Sequence, residues 1–239
     1  MKNIQALSTG REEERREVSD AIQRGRDAIQ RGRDAGPGQL QHVIIYGPRG
    51  FGKSFMTRVA QIEVERISSD ACPTRFVLLP EEQKNLTHNP HALLDYITDK
   101  LADQRTGGDE SWAASMFQWP EKQREQELWE QAAVRLEEEL NQLPGDGAGM
   151  VIVVVENFDI LLSKLFKLKE AEQRLRKWLG RSNNRVMLIA TATGTVDMDY
   201  NRPLFQAFQS IRLGAWSPED CIAYFNRRRE RDQAGPMPP

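Results

Sequence analysis

The chain alternates short apolar runs with longer amphipathic segments, and this pattern predicts strands separated by helices. Five runs rich in β-branched and other apolar residues indicate buried strands. They lie at 42–46, 75–79, 151–155, 185–190 and 211–213. The run from Val151 to Val155 is β-branched without interruption, which is typical of a central strand in a parallel sheet.

Segments with apolar residues at helical spacing separate these runs. They lie at 53–68, 121–143, 161–179 and 203–209, and two more start at Asn89-Pro90 and at Ser217-Pro218. In the last two, a capping residue followed by proline marks the predicted helix start. Strands that alternate with helices predict an α/β sandwich around a mainly parallel, five-stranded sheet.

A strongly charged segment at 11–35 precedes the first predicted strand and is itself predicted to be helical. Within it the heptapeptide AIQRGRD at 21–27 is repeated letter for letter at 28–34. Two units are too few for a coiled coil, so we interpret the repeat as a duplication that lengthens a surface helix. An arginine-rich docking arm is the alternative interpretation. Gly36-Pro37-Gly38 then breaks the chain.

Composition narrows the class of protein without identifying it. The chain has 239 residues, a formal charge of -2 and a mean hydropathy of -0.62. No apolar run approaches the ~20 residues of a membrane span, and the N-terminus has no signal-peptide pattern. Cys72 and Cys221 show no metal-binding spacing, so we expect reduced thiols in a cytoplasmic protein. The small net charge gives no protein-wide positive potential that would attract nucleic acid. A local DNA-binding patch is the alternative that the charge does not exclude.

The most specific motif follows the first predicted strand, where residues 47–54 read GPRGFGKS. This matches G-x-x-x-x-G-K-[ST], the phosphate-binding loop. Gly47, Gly50 and Gly52 allow a tight turn in which successive N–H groups face a triphosphate. The loop leads into a predicted helix, whose N-terminal dipole also favours phosphate.

The end of the motif carries the charged and hydroxyl groups. We expect the Lys53 ammonium to bind the β- and γ-phosphates and the Ser54 hydroxyl to bind Mg²⁺. The predicted nucleotide-binding set is Gly47, Pro48, Arg49, Gly50, Phe51, Gly52, Lys53, Ser54 and Phe55. In parallel sheets ligands sit at the carboxyl ends of strands, and two other strand ends, at Glu156-Asn157 and at 191–193, converge on this site.

At residues 10–231 the order of elements resembles the AAA-type ATPases, P-loop proteins with an extra strand between the two Walker segments. GPRGFGKS resembles Walker A, VIVVVEN resembles Walker B, and RVMLIATATG resembles the strand that carries the sensor-1 residue. The subgroups that the chain resembles most are relatives of origin-recognition initiators and transposition ATP-binding proteins, followed by signalling NTPases. The resemblance implies ATP and Mg²⁺ as cofactors, other protein subunits or self-oligomers as partners, possible contact with DNA, and no membrane.

Walker B departs from the family pattern. The family ends this strand with Asp-Glu, whereas this chain has Glu156 and Asn157. Glu156 keeps the charge that holds Mg²⁺ or a Mg²⁺-bound water, but the amide of Asn157 cannot accept a proton at neutral pH and can only orient water. Asp159 can take the base role if the chain turns it inward. The alternative is that Asp159 is the N-cap of a helix starting near Ile160.

The resemblance also implies two further roles. Thr191 or Thr193 takes the sensor-1 position near the γ-phosphate, or else these hydroxyls only satisfy a strand end. Arg202 lies in the region that supplies an arginine finger to a neighbouring subunit, although a surface arginine is the alternative. Arg227, Arg228 and Arg229 on the final helix are candidates for phosphate or DNA contacts, or for a solvated face.

We predict four segments. Residues 1–36 form a charged helical segment, 37–214 a P-loop core with a helical insertion at 105–145, 215–233 a first lid-like helix, and 234–239 a disordered tail. The family's lid is larger, so the chain is expected to be a reduced ATPase or a fragment. The predicted function is an ATPase that switches a macromolecular partner. The alternatives are an assembly switch that binds ATP but hydrolyses it poorly and, less favoured, a small-molecule kinase.

Overall fold

A computed structural model describes residues 10–35, 40–70, 72–80, 89–107, 122–145, 149–166, 168–193 and 203–233. The strands are β1 (His42–Tyr46), β2 (Thr74–Leu79), β3 (Met150–Val155), β4 (Val186–Ala192) and β5 (Phe208–Arg212). The helices are α1 (Glu12–Ala35), α2 (Lys53–Ile67), α3 (Ala92–Thr106), α4 (Lys122–Asn141), α5 (Phe158–Leu165), α6 (Lys169–Leu179) and α7 (Pro218–Gln233), with a 3₁₀ helix at Pro203–Ala207.

The five strands form one sheet in the order β2-β3-β4-β1-β5, and every pairing is parallel. The predicted α/β class with a five-stranded sheet is therefore confirmed. β4 lies between β1 and β3, so it separates the strand of the phosphate loop from the strand of Glu156. All strands run in the same direction, and their carboxyl ends meet at one edge of the sheet.

Helices cover both faces of this sheet and bury two hydrophobic clusters. α1 and α2 pack on one face, whereas α3, α4, α5 and α6 pack on the other. β3 is fully buried, with its odd-numbered residues in one cluster and its even-numbered residues in the other. Burial on both faces explains why this strand has no polar alternation in the sequence.

Several element boundaries differ from the sequence prediction. The helix expected at Asn89-Pro90 begins at Ala92 with His91 as its N-cap, because residues 89–91 form a turn first. The single helix expected at 161–179 is two helices, α5 and α6, and the helix expected at 203–209 is a 3₁₀ helix followed directly by β5. The predicted N-cap of α7 is confirmed, since the Ser217 hydroxyl accepts a hydrogen bond from the Asp220 backbone N–H at 3.0 Å.

The repeated heptapeptide lies in the continuous helix α1, but its two copies have different surroundings. In the first copy Ala21 and Ile22 are 1% and 0% exposed, and a Cβ at Gly25 would lie 3.3 Å from the Met187 sulfur. In the second copy Ala28 and Ile29 are only half-buried. The expectation of a purely surface helix was therefore wrong for the first copy, which forms part of the core.

Some predicted features lie outside the described residues, namely the break at 36–38, residues 108–121 of the insertion at 105–145, and the tail at 234–239. Cys72 is buried and Cys221 is partly buried. Within the part of the chain that the structure describes, no helix has both the length and the apolar character that crossing a bilayer requires.

His42, the first residue of β1, is a buried titratable group at the amino end of the sheet. It is 1% exposed, and its Nδ1 accepts a hydrogen bond from the Leu188 backbone N–H at 3.1 Å. Burial lowers the pKa of His42 to about 4, and the backbone of Leu179 opposes this shift. Protonation at Nδ1 would also break this hydrogen bond, because it would place a second N–H donor against the Leu188 N–H.

We expect acid to destabilise the fold through His42. The folded-state pKa lies below the unfolded value, so the stabilisation is complete above pH 6.5 and is lost as the pH falls towards 4, by about 3 kcal/mol in total. Urea unfolding of the wild type and of His42→Asn, which retains an acceptor near Nδ1, measures the effect from pH 7 to 5. The variant should lose most of this pH dependence but not all, because burial also lowers the pKa of His91. An unchanged slope in His42→Asn would contradict the assignment.

Candidate functional site

The phosphate loop joins β1 to α2 at the carboxyl edge of the sheet. Its first residue is fixed on both sides, because the Gly47 N–H donates to the Ala192 carbonyl at 3.3 Å and the Leu213 N–H donates to the Tyr46 carbonyl at 2.8 Å. A Cβ at Gly47 would lie 2.6 Å from the Leu213 carbonyl oxygen. Glycine is therefore required here by close packing of the backbone.

Gly50 and Gly52 are favoured by their backbone conformation rather than by close packing. Gly50 and Gly52 have φ values of 82° and 93°, in the left-handed region that other residues rarely adopt. A Cβ at either position would meet no heavy atom within 4 Å. The described residues thus leave open space on these glycines, and α2 begins immediately after them at Lys53.

Lys53 bridges back across the loop. Its Nζ donates hydrogen bonds to the carbonyl oxygens of Gly47 at 2.7 Å and Pro48 at 2.8 Å, and the residue is 9% exposed. Burial lowers the pKa of Lys53, the carboxylate of Asp159 opposes this effect, and the positive charge of Arg49 reinforces it. An ammonium has three N–H donors, so one is left for a phosphate oxygen.

The remaining loop residues divide between solvent and core. Ser54 is exposed in the first turn of α2, where its hydroxyl is accessible to a cation. Pro48 and Arg49 are exposed as well. Phe51 and Phe55 are partly buried and pack against the cluster beneath α1 and α2, so they anchor the loop to the sheet.

Glu156 and Asn157 follow β3 directly. Glu156 is half-buried and lines a small cleft beside Leu79 and Pro80 on the β2 side. β4 separates β3 from β1, which puts their backbones about 10 Å apart by normal strand spacing. The position suits an indirect contact with a loop-bound cation through water better than a direct one.

Asn157 has a backbone role that the sequence did not indicate. Its φ is 51°, the only positive value for a non-glycine residue in the described chain, and it is the N-cap position of α5. Its backbone N–H donates to the Thr191 hydroxyl at 3.0 Å. Asparagine tolerates the left-handed conformation better than glutamate, which is a structural reason for the amide at this position.

Asp159 is turned inward, towards β4 and the phosphate loop. Its Oδ2 accepts hydrogen bonds from the Thr193 backbone N–H at 3.2 Å and the Thr193 hydroxyl at 2.9 Å. Its Oδ1 is buried and has no hydrogen-bond partner among the described residues. The alternative that Asp159 is an N-cap was wrong, because α5 begins one residue before it, at Phe158.

Thr191 and Thr193, at the end of β4, have different hydrogen-bond partners. Thr191 is 2% exposed and holds the backbone of Asn157, whereas Thr193 is half-buried and pairs with Asp159. The structure thus brings Asp159 and Thr193 together, and the negative charge of Asp159 acts on the ammonium of Lys53. Arg202 lies outside the described residues, and Arg227 and its two neighbours are exposed on α7.

Sequence reasoning missed Arg11, which lies between the N-terminus of α1 and the phosphate loop. It is 6% exposed, its Nη1 donates to Glu14 at 2.7 Å, and its Nη2 donates to the carbonyl oxygens of Phe51 at 3.2 Å and Gly214 at 2.6 Å. The surrounding charged run indicated a solvated helix. The partners lie 40 and 203 residues away, and no local signal identifies such contacts.

No protein-family model matches the sequence, and no curated protein sequence matches it. Solved structures do match. The Aeropyrum pernix ORC2 protein, solved in ADPNP and ADP complexes, matches with TM-score 0.54 and 17% identity over 88% of this chain and 51% of its own. CDC6P of Pyrobaculum aerophilum matches with TM-score 0.52 and 12% identity over 91% of this chain and 49% of its own. Drosophila ORC, solved bound to DNA, matches with TM-score 0.55 and 16% identity over 92% of this chain and 46% of its own.

The chain spans about half the length of these neighbours. At such low identity the likeness concerns the fold. All three neighbours are P-loop ATPases of the AAA type, and this chain has a five-stranded parallel sheet covered by helices on both faces. The predicted resemblance is confirmed at this level: the chain has the fold of the AAA-type P-loop ATPases.

Proposed function

We propose that this chain binds ATP with Mg²⁺ at the phosphate loop and hydrolyses it to switch a macromolecular partner. The observation that carries the proposal is the arrangement of Lys53. Its ammonium holds the loop through the carbonyl oxygens of Gly47 and Pro48 and keeps one donor for a phosphate oxygen. The left-handed glycines and the N-terminus of α2 add an anion-binding concavity around it.

The residues present fit ATP·Mg²⁺ as a ligand. The backbone N–H groups of 50–54 and Lys53 are the proposed phosphate donors, and the accessible Ser54 hydroxyl is the proposed direct magnesium ligand. Glu156 would hold a magnesium-bound water, because β4 separates it from the loop. When bound, ATP·Mg²⁺ supplies the phosphoanhydride and the divalent charge that neutralises it.

For hydrolysis, Asp159 is the better candidate base than Asn157. A carboxylate accepts a proton from water, whereas an amide at neutral pH does not. Asp159 has a buried Oδ1 without a partner among the described residues, and Thr193 fixes its other oxygen. Thr193 is therefore proposed to position Asp159, and Asn157 to shape the turn. A role of Arg202 as an arginine finger stays a prediction from the sequence.

The partner is proposed only as a class. One structural neighbour was solved in ADPNP and ADP complexes and another bound to DNA, which motivates nucleotide, DNA and other protein subunits as partners here. A second candidate function is an assembly switch that binds ATP and hydrolyses it poorly. It is favoured by the amide at position 157, where the family that the sequence resembles has its catalytic glutamate.

Replacing the phosphate-binding ammonium tests nucleotide binding. We expect Lys53→Ala to weaken ATP·Mg²⁺ binding by at least about tenfold, because a charge-assisted hydrogen bond to phosphate is lost. Titration with a fluorescent ATP analogue measures the affinity, and thermal melting without nucleotide shows whether the variant is folded. Lys177→Ala, an exposed lysine on α6, is the matched control. Wild-type affinity in a folded Lys53→Ala variant would refute the proposed site.

A pair of substitutions at the end of β3 locates the base. We expect Asp159→Asn, which keeps an acceptor for Thr193, to lower ATP turnover at least about 100-fold while ATP still binds, because the proton acceptor is lost. Phosphate release at saturating ATP·Mg²⁺, with and without double-stranded DNA, measures it. Unchanged turnover in Asp159→Asn would exclude Asp159 as the base. If instead the wild type is nearly inactive and Asn157→Glu raises turnover sharply, the poorly hydrolysing switch is the correct function.

A further inference from the structure

Arg11 connects three elements that are distant in sequence. Its buried guanidinium lies at the start of α1, and one nitrogen, Nη2, donates to both Phe51 in the phosphate loop and Gly214 in the connection from β5 to α7. Glu14, one turn into α1, pairs with Nη1 at 2.7 Å and so orients the group. A solvated surface arginine would have none of these constraints.

Arg11 contacts the phosphate loop at the carbonyl oxygen of Phe51. Phe51 stands between Gly50 and Gly52, the two left-handed residues of the loop. A loop that turns its N–H groups towards an anion turns carbonyl groups the other way, and those carbonyls need donors. Lys53 serves Gly47 and Pro48 from inside the loop, and Arg11 serves Phe51 from the outside.

The contact with Gly214 reaches the start of α7. Leu213, the residue before it, is bonded to Tyr46 at the end of β1, and Ser217 caps α7 a few residues later. Gly10 also lies against α7, since a Cβ there would be 2.8 Å from the Asp220 Cβ. Residues 10 and 11 therefore contact the phosphate loop and the base of α7 together.

We propose that Arg11 is a positioning residue that couples nucleotide occupancy of the phosphate loop to the seating of α7. When the loop is ordered by phosphate, the Phe51 carbonyl fixes the guanidinium, and the same nitrogen fixes Gly214. Coupling of this kind is reciprocal, so seating α7 also favours nucleotide binding. The inference rests on the proposed function of the loop and adds to it a route by which nucleotide occupancy reaches α7, a largely exposed helix.

Removing the donors without removing the bulk tests the coupling. Arg11→Met keeps an unbranched side chain but donates no hydrogen bond, and Arg11→Lys restores a charged donor. Arg24→Ala is the matched control, an exposed arginine on α1 whose Nη2 donates to the Gln209 side chain in β5. Two quantities are measured for each protein: ATP·Mg²⁺ affinity, and hydrogen-exchange protection of residues 47–55 and 214–224 with and without saturating ATP·Mg²⁺.

In the wild type and in Arg24→Ala we expect ATP to protect both segments. In Arg11→Met we expect about tenfold weaker ATP binding, in the usual range of coupling between sites. At saturation its loop should still be protected, while residues 214–224 should not. Arg11→Lys should give intermediate values for both quantities. This dissociation of two segments in a nucleotide-saturated protein is not expected from a general loss of stability.

Full ATP-dependent protection of 214–224 in Arg11→Met would overturn the coupling. If Arg11→Met does not melt cooperatively, Arg11→Lys decides, and wild-type protection and affinity in that variant would overturn it equally. Absence of ATP binding by the wild type would instead refute the proposed function of the loop. The two failures are thus distinguishable in the same experiment.

Discussion

An anion-binding loop must keep its N–H groups free, and this constraint determines much of what surrounds residues 47–54. An N–H group that faces an anion cannot also hold the loop, so carbonyl groups share this role with the N–H groups of Gly47 and Phe51. Lys53 bonds the carbonyls of Gly47 and Pro48 from within the loop, and Arg11, the residue before α1, bonds that of Phe51 from outside it. The start of the charged N-terminal segment thus supports the predicted phosphate loop, although none of its residues belongs to the motif.

The strand order imposes the second constraint. With β4 between β1 and β3, a side chain that follows β3 directly is two strand spacings from the loop, whereas one that reaches the end of β4 is closer. Asp159 reaches the end of β4 by accepting a hydrogen bond from Thr193, and the carboxylate charge acts on Lys53. The left-handed turn at Asn157 brings the chain round so that Asp159 points inward. One backbone turn therefore accommodates both the asparagine at 157 and the inward aspartate at 159.

The sheet was predictable from the sequence because burial on both faces leaves a clear signal, as in the β-branched run of β3. The phosphate loop was predictable because its glycines and Lys53 have fixed spacing. The start of α3 was misplaced because residues 89–91 form a turn, in which the Ala92 N–H bonds the Asn89 carbonyl, before the helix begins. The positions of Asp159 and Arg11 depend on contacts across 34 and up to 203 residues, which no periodicity or local motif encodes.

The repeated heptapeptide of α1 shows that identical letters need not carry identical constraints. Ala21 and Ile22 are enclosed by the core, whereas Ala28 and Ile29 stand half in solvent and Ile29 packs against the cluster only partly buried. Seven residues are close to two full helical turns, about 10.5 Å of length. A third copy placed after the second would extend α1 by that length without moving Ala21, Ile22 or Arg11, which all precede it. The reach of this helix can therefore grow in steps of one heptapeptide while the contacts of Arg11 are preserved.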